Sequence, residues 1–443
     1  MGRRPLDMDR LALELALNDN ADEKNILAKK IVSLAYKGGI YSSSINDFYM
    51  ARGKGAFPAN FTVPAINLRT LTYDLAKAIF RVAKRSNAGP FIFEIAKSEM
   101  GYTNQPPCEY TAVCLAAALK ENWSGPVFIQ GDHFQLNHKN FQKDPEKEIE
   151  NVKSVIIQAI EGGFYNIDID SSTLVDLSKS SIKKQQEQNY EICAKLTNFI
   201  RQNQPRGIEI SVGGEIGEVG TKNSTPEDLR AFMEGYKDRL RKGRVGISKI
   251  SVQTGTSHGG VVLPDGSIAK VKLDFDTLQN LSKIAREEYG LAGAVQHGAS
   301  TLPAEAFGKF PEVGTAEVHL ATEFQNMIFE SVHFPKELKE RIYDWIKKNL
   351  SGERKGDQTD EQFIYSTRKK ALGPFKKDIL GLPSEARDAI AKEIEAKFEF
   401  LFGKLNVGNT KNILSNNTKL VRVISRKRDS SSQKAEISGE GAD

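Results

Sequence analysis

Three of the chain's six histidines lie in short turns rich in chemistry: Asp132-His133, Ser257-His258-Gly259 and His297-Gly298. Imidazoles converging from three separate segments make a three-histidine metal site with an open coordination position, as a catalytic zinc needs. Taken singly, each reads as a strand cap or a hydrogen-bonded core residue, since lone histidines are seldom ligands. Taken jointly, that reading weakens. The only cysteines, Cys108, Cys114 and Cys193, form no C-x-x-C pair. A thiolate zinc site and a disulfide framework are therefore not expected, and any metal falls to His and carboxylates.

Those turns need elements to hold them. From Asn60 onward a short β-branched or apolar run is followed by a Gly-rich or polar turn and then a helical stretch, over and over, which is the rhythm of βα units. The predicted strands are Val63–Leu68, Pro90–Ala96, Pro126–Asp132, Tyr165–Asp170, Gly207–Val212, Lys249–Thr254, Gly293–Gln296 and Ala316–Leu320. Eight alternating units close most naturally into an α/β fold of the (β/α)8 barrel type, with a doubly wound open sheet as competitor because periodicity does not report closure. In a parallel barrel the C-terminal strand ends face the active site, and His133, His258 and His297 each fall just past such an end.

Around the barrel, at 60–335, the sequence predicts a helix over 21–37 packed across the barrel bottom. Gly38–Ala59 reads as a loop insertion, 336–405 as a helical extension, and 406–443 as a polar tail without fixed structure. Ser224-Thr225-Pro226-Glu227-Asp228 reads as a helix N-terminus. With 39% hydrophobic residues and a formal charge of +5 spread among acids, composition fits a large core and anionic small substrates, and gives little support to nucleic-acid binding. The basic run Arg422–Arg428 lacks interleaved aromatics. No stretch approaches a membrane span and no signal-peptide core forms near Met1, so a cytoplasmic location is expected.

Order and spacing of several segments carry a family likeness. Gly131–Phe134, Gly255–Gly260, Lys272–Phe275, His297–Ser300 and Glu317–Glu323, with Pro64-Ala65-Ile66-Asn67 ahead of them, resemble the class II fructose- and tagatose-bisphosphate aldolases. The resemblance implies a Zn2+ ion, or another divalent transition metal, held by His133, His258 and His297, which polarises the carbonyl of dihydroxyacetone phosphate and stabilises its enediolate. It also implies that Asp132 exchanges the C4 hydroxyl proton, and that Asp170 and Glu215 contribute to an alternative metal position, with Glu209 as a shifted competitor for Glu215. Gly259, Gly298, Ala299, Ser300 and Thr322 would cradle a phosphate, and Asn67 and the residue at His319 would touch substrate. The expected assembly is a homodimer or homotetramer acting on a small sugar phosphate.

Departures from the pattern bear on the sugar. The acidic pair after the Glu-Leu-Gly motif is absent, leaving Glu218 as the nearest base for the C3 proton. His319 stands where the family has Asn, Ala321 where an Asp is usual, and Ala96 where a Ser often lies. Fructose 1,6-bisphosphate is the leading substrate, with tagatose bisphosphate or a related sugar phosphate as alternative. A catalytically silent metal-binding regulatory subunit is the reading from a different class. The cation-rich segment Tyr365–Lys377 suggests that Arg368, or Lys369 beside it, reaches over the mouth of its own or a partner barrel to the far phosphate.

Overall fold

A computed structural model of the chain describes residues 7–217, 222–255, 263–264 and 273–423. Nine parallel strands form one sheet: β1 (Ile40–Ser43), β2 (Val63–Asn67), β3 (Ile92–Ala96), β4 (Gly125–Gln135), β5 (Asn166–Asp170), β6 (Ser211–Glu215), β7 (Lys249–Val252), β8 (Ala294–Gln296) and β9 (Glu317–Leu320). The order runs β1-β4-β3-β2-β9-β8-β7-β6-β5, and β4 also pairs with β5, so β2 to β9 close into an eight-stranded barrel with helices around it. The expected (β/α)8 barrel is therefore the fold, followed by a helical C-terminal region.

Sequence chemistry explains two of the helices around the barrel. Pro107, whose missing N–H costs nothing in a first turn, opens an alanine-rich helix Pro107–Lys120 that is buried along most of its length. Helix Pro226–Arg239 starts with a reciprocal cap: the Thr225 hydroxyl accepts from Asp228 N at 3.1 Å and the Asp228 carboxylate accepts from Thr225 N at 2.9 Å.

The segment read as a loop insertion holds an ordered strand and helix. β1 pairs with the lower part of β4, from Ile40↔Gly125 to Ser43↔Phe128, below the point where β5 takes over at Gln130. Helix Asn46–Gly53 then closes the barrel bottom. From it Arg52 donates to the carbonyls of Phe61 (2.7 Å), Thr315 (3.0 Å) and Ala292 (3.1 Å), which precede β2, β9 and β8, and Tyr49 donates to the Glu317 carboxylate at the start of β9. Helix Ala21–Lys37, expected at the bottom, packs instead against helix Pro107–Lys120 and β1. Its apolar stripe of Ala28, Ile31 and Ala35 matches that alanine-rich surface.

The fifth strand of the barrel lies four residues later than the sequence rhythm predicts, at Ser211–Glu215 rather than from Gly207. Gly207 adopts φ +88 and turns the chain, while Gly213 and Gly214 carry strand pairing. Gly213 is needed there because a Cβ would lie 2.3 Å from Asp168 Oδ1 and 3.0 Å from Lys249 Cε. At the C-terminal side, helix Ser384–Lys404 lies against helix Thr72–Arg85, tied by Arg81 and Arg85 to Glu395. Part of the segment expected as a tail is folded: Gly89 N donates to Thr410 Oγ1 at 3.0 Å, Leu414 is buried, and a short helix spans Lys411–Asn416.

Candidate active site

The third barrel strand carries an irregularity that sets the site. Pairing of β4 with β5 runs Gly131↔Ile167 and then Phe134↔Ile169, so one extra residue is inserted at Asp132-His133. His133 takes φ +41 there, a conformation costly for a residue with a Cβ, and such bulges re-aim side chains next to functional sites. The result puts two consecutive residues, Asp132 and His133, into one cluster instead of on opposite faces of the strand.

His133 Nδ1 lies 3.1 Å from Asp170 Oδ2, and its ring is centred 4.4 Å from that of His297. His297 Nε2 is 3.0 Å from Ser251 Oγ and 3.6 Å from Glu215 Oε2. One donor atom from each of Asp132, His133 and His297, and one from each of His133, Asp170 and Glu215, lie within 4.8 Å of each other. These are N and O donors from several strand ends, the set suited to a divalent transition metal. The donors also fit an ion because Asp132 Oδ1 is buried and makes no hydrogen bond. Five of the sequence-selected residues, Asp132, His133, Asp170, Glu215 and His297, are thus brought together. His258, Gly259 and Glu218 lie outside the described residues.

Burial disfavours charge on these groups, yet their neighbours overcome it. Desolvation pulls the His133 imidazole down, but the adjacent Asp132 charge and the Asp170 contact hold it well above the ordinary histidine range. Burial likewise raises Asp132, while His133 and His319 hold it well below the carboxylate range. The side chains are therefore set as alternating charges, which an incoming dication would reorganise.

His319 stacks next in the row, its ring centred 4.0 Å from that of His297. It belongs to an interior network that the sequence reading did not single out. Lys249 Nζ donates to Gln130 Oε1 and Asp168 Oδ2, both at 2.8 Å, and to Glu317. His319 Nε2 lies 2.7 Å from Glu317 Oε1 and its Nδ1 2.9 Å from Glu94 Oε2. Burial pushes Glu94 up to about 7 and Asp168 up to about 6. The available signal was charge at alternate positions inside apolar runs: Glu94 between Phe93 and Ile95, Asp168 two before Asp170, and Glu317 two before His319.

Past the ends of β8 and β9 lie four of the residues expected to cradle a phosphate, Gly298, Ala299, Ser300 and Thr322. Gly298 has φ +65, Ala299 and Ser300 are buried, and Ser300 Oγ accepts from Glu323 N at 3.4 Å in the first turn of helix Thr322–Glu330. Helix N-termini and barrel strands at this place are a usual phosphate seat. Asn67 ends β2 and donates to Glu99, which also pairs with Arg69. Arg368, in contrast, is held in packing. Its guanidinium is buried, lies over Phe329 and Tyr365 and donates to Asn326 Oδ1, because planar guanidinium stacks well on aromatic faces. Lys369 lies near Arg69, and burial together with that like charge pulls its ammonium down to about 7.

The family model described as fructose-bisphosphate aldolase class II matches residues 54–406. The chain belongs to that family. A comparison with curated proteins gives no match. Among solved structures, the chain is similar to a probable tagatose 6 phosphate kinase from Sinorhizobium meliloti 1021, at 14% identity and TM-score 0.52, over 80% of this chain and 100% of that one; this likeness shows the fold. A fructose-bisphosphate aldolase from Campylobacter jejuni aligns at 19% identity and TM-score 0.48, over 84% of this chain and 96% of that one. A putative fructose-1,6-biphosphate aldolase from Coccidioides immitis aligns at 20% identity and TM-score 0.40, over 76% of this chain and 96% of that one. No helix of the described residues is long and apolar enough to cross a membrane.

Proposed function

We propose that this class II aldolase family member catalyses the metal-dependent, reversible cleavage of fructose 1,6-bisphosphate to dihydroxyacetone phosphate and glyceraldehyde 3-phosphate. The observation that carries the reading is the β4 bulge, which sets Asp132 beside His133 and within reach of His297. His133 and His297, with His258 from the sequence, would hold a Zn2+ or related ion, and Asp170 and Glu215 would offer it a second position. When bound, the ion supplies the electrophile for the substrate carbonyl.

The remaining steps belong to side chains. Asp132 holds or releases the proton of the C4 hydroxyl as the C3–C4 bond forms or breaks. Glu218, three residues after Glu215 in the sequence, takes the C3 proton of dihydroxyacetone phosphate. Gly298, Ala299, Ser300 and Thr322, with Gly259, seat one phosphate. For the far phosphate Lys369, beside the Arg69–Glu99 pair, is the candidate cation alongside the stacked Arg368.

One observation favours another ketose bisphosphate, such as tagatose, as the alternative. His319 occupies the substrate-binding Asn position but is packed between Glu94 and Glu317, so the sugar meets a different wall. A coupled cleavage assay with fructose and tagatose bisphosphates, run with and without chelator, tests both readings. Chelation is expected to abolish cleavage and Zn2+ to restore it. Full activity in excess chelator after verified metal loss would sink the mechanism.

A further inference from the structure

Beside the donors already assigned, the barrel interior holds a second set that faces one point. We propose that Glu94, Asp132 and His319 bind a second divalent cation, of the imidazole-and-carboxylate class that includes Zn2+, Mn2+ and Fe2+, beside the first ion, with Asp132 using Oδ1 and leaving its other oxygen for the C4 hydroxyl. That neighbourhood rests on the reading that His133 and His297 hold the first ion.

Spacing is the first argument. His319 Nδ1 lies 2.9 Å from Glu94 Oε2 and 3.3 Å from Asp132 Oδ1, and the three donor atoms are all within 4.8 Å of one another. Ligands roughly 2.0–2.2 Å from one ion, at tetrahedral or octahedral angles, stand about 2.9–3.5 Å apart. Alignment is the second. Neither ring nitrogen of His319 has a well-aligned hydrogen-bond partner, nor does Asp132 Oδ1, although all three atoms are buried and carboxylate oxygens stand 2.7–3.3 Å from the ring nitrogens. Two carboxylates at hydrogen-bond distance yet off the N–H direction are what flanking ligands look like when the nitrogen points at something between them. Leaving such groups unsatisfied in the interior is otherwise costly.

Charge separates the two sides of the imidazole. On the Nε2 side, Asp168 and Glu317 are already met by the Lys249 ammonium. On the Nδ1 side, no Lys or Arg of the described residues pairs with Glu94 or Asp132; their ion-pair partners are His319 and His133. Buried carboxylates are normally paired or coordinate a metal. The outer support is also present: Glu317 Oε1 stands 2.7 Å from His319 Nε2 and is fixed by Lys249, Gln130 Nε2 at 2.9 Å and, through its other oxygen, Tyr49. From there it would fix the ring's tautomer once the imidazole turns its second N–H onto it, the habitual support of a metal-binding histidine.

The test uses the full chain, stripped with chelator and titrated with Mn2+, with metal content counted per chain and coupling read by electron paramagnetic resonance. The expected result is two ions with a spin-coupled spectrum. Glu94→Gln and His319→Asn should each retain one ion and give an uncoupled spectrum, and His297→Ala should lose the first ion while keeping the second. One ion per chain at saturation, with His319 serving only as an imidazolium between carboxylates, overturns the proposal. So do two ions that survive both Glu94→Gln and His319→Asn. If His297→Ala keeps both ions while Glu94→Gln loses one, the second site stands and the first assignment fails. Melting of the metal-free proteins checks folding. Should both variants unfold, anomalous scattering from Mn2+ in crystals of the parent decides: a peak between Glu94, Asp132 and His319 supports the site, and its absence beside an occupied first site rejects it.

Discussion

Asp132 is where the proposed bond chemistry and the second proposed ion meet, and its two roles separate by substrate. Asp132→Asn keeps the shape and removes the charge, so cleavage should fall by about 10²–10⁴-fold, the range for losing a positioned acid or base. Exchange of the C3 proton of dihydroxyacetone phosphate, which has no C4 hydroxyl, should persist; unchanged cleavage would instead assign Asp132 to holding His133. The far phosphate gives a second residue-scale contrast. Lys369→Ala should raise KM for the bisphosphate roughly tenfold or more, as for a lost charge-assisted hydrogen bond, and leave that exchange untouched. Arg368→Ala, which unstacks Phe329 and Tyr365, should lower melting temperature with little change in KM. The opposite pattern, KM responding to Arg368 alone, would restore the sequence-based assignment.

At the scale of elements, the eight barrel strands and the order of their chemistry-bearing ends were legible, because apolar runs, turns and helices alternate so regularly from Val63 to Leu320. What was not legible has physical causes. Gly213-Gly214 look like a turn in sequence, yet they are strand residues: the Asp168–Lys249 pair fills the space a side chain at Gly213 would take, and Ile247, Ile250 and Phe232 crowd Gly214. Gly213→Ala should therefore cost about 1–3 kcal/mol by overpacking, read from urea unfolding, and a neutral substitution would mean that Lys249 moves freely. The bulge at Asp132-His133 leaves no trace in composition; it shows only as register against β5. The cluster of Asp132, His133 and His297 was readable from strand ends, whereas Glu94, Lys249 and Glu317 passed as ordinary strand residues since sequence alone does not say which face turns inward.

For the whole molecule, the N-terminal segment is part of the barrel's closure. Arg52 satisfies carbonyls that precede three different strands, so Arg52→Leu should destabilise the protein by at least about 3 kcal/mol through orphaned acceptors, with metal content preserved in what remains folded. A melting point equal to the parent's would show that water takes over those carbonyls. Assembly as a homodimer or homotetramer is proposed from the family resemblance, and light scattering of the purified chain checks it. The bottom plug also has a temporal meaning. The acceptors that Arg52 requires include Ala292 and Thr315, so a chain emerging from the ribosome carries this cation without them until the segment before β9 is made. Contacts of such long sequence separation form late, after loop closure has been overcome. Residues that precede the barrel strands are therefore among the last to settle, and the nascent chain depends on whatever shields Phe48, Tyr49 and Phe61 until β9 arrives.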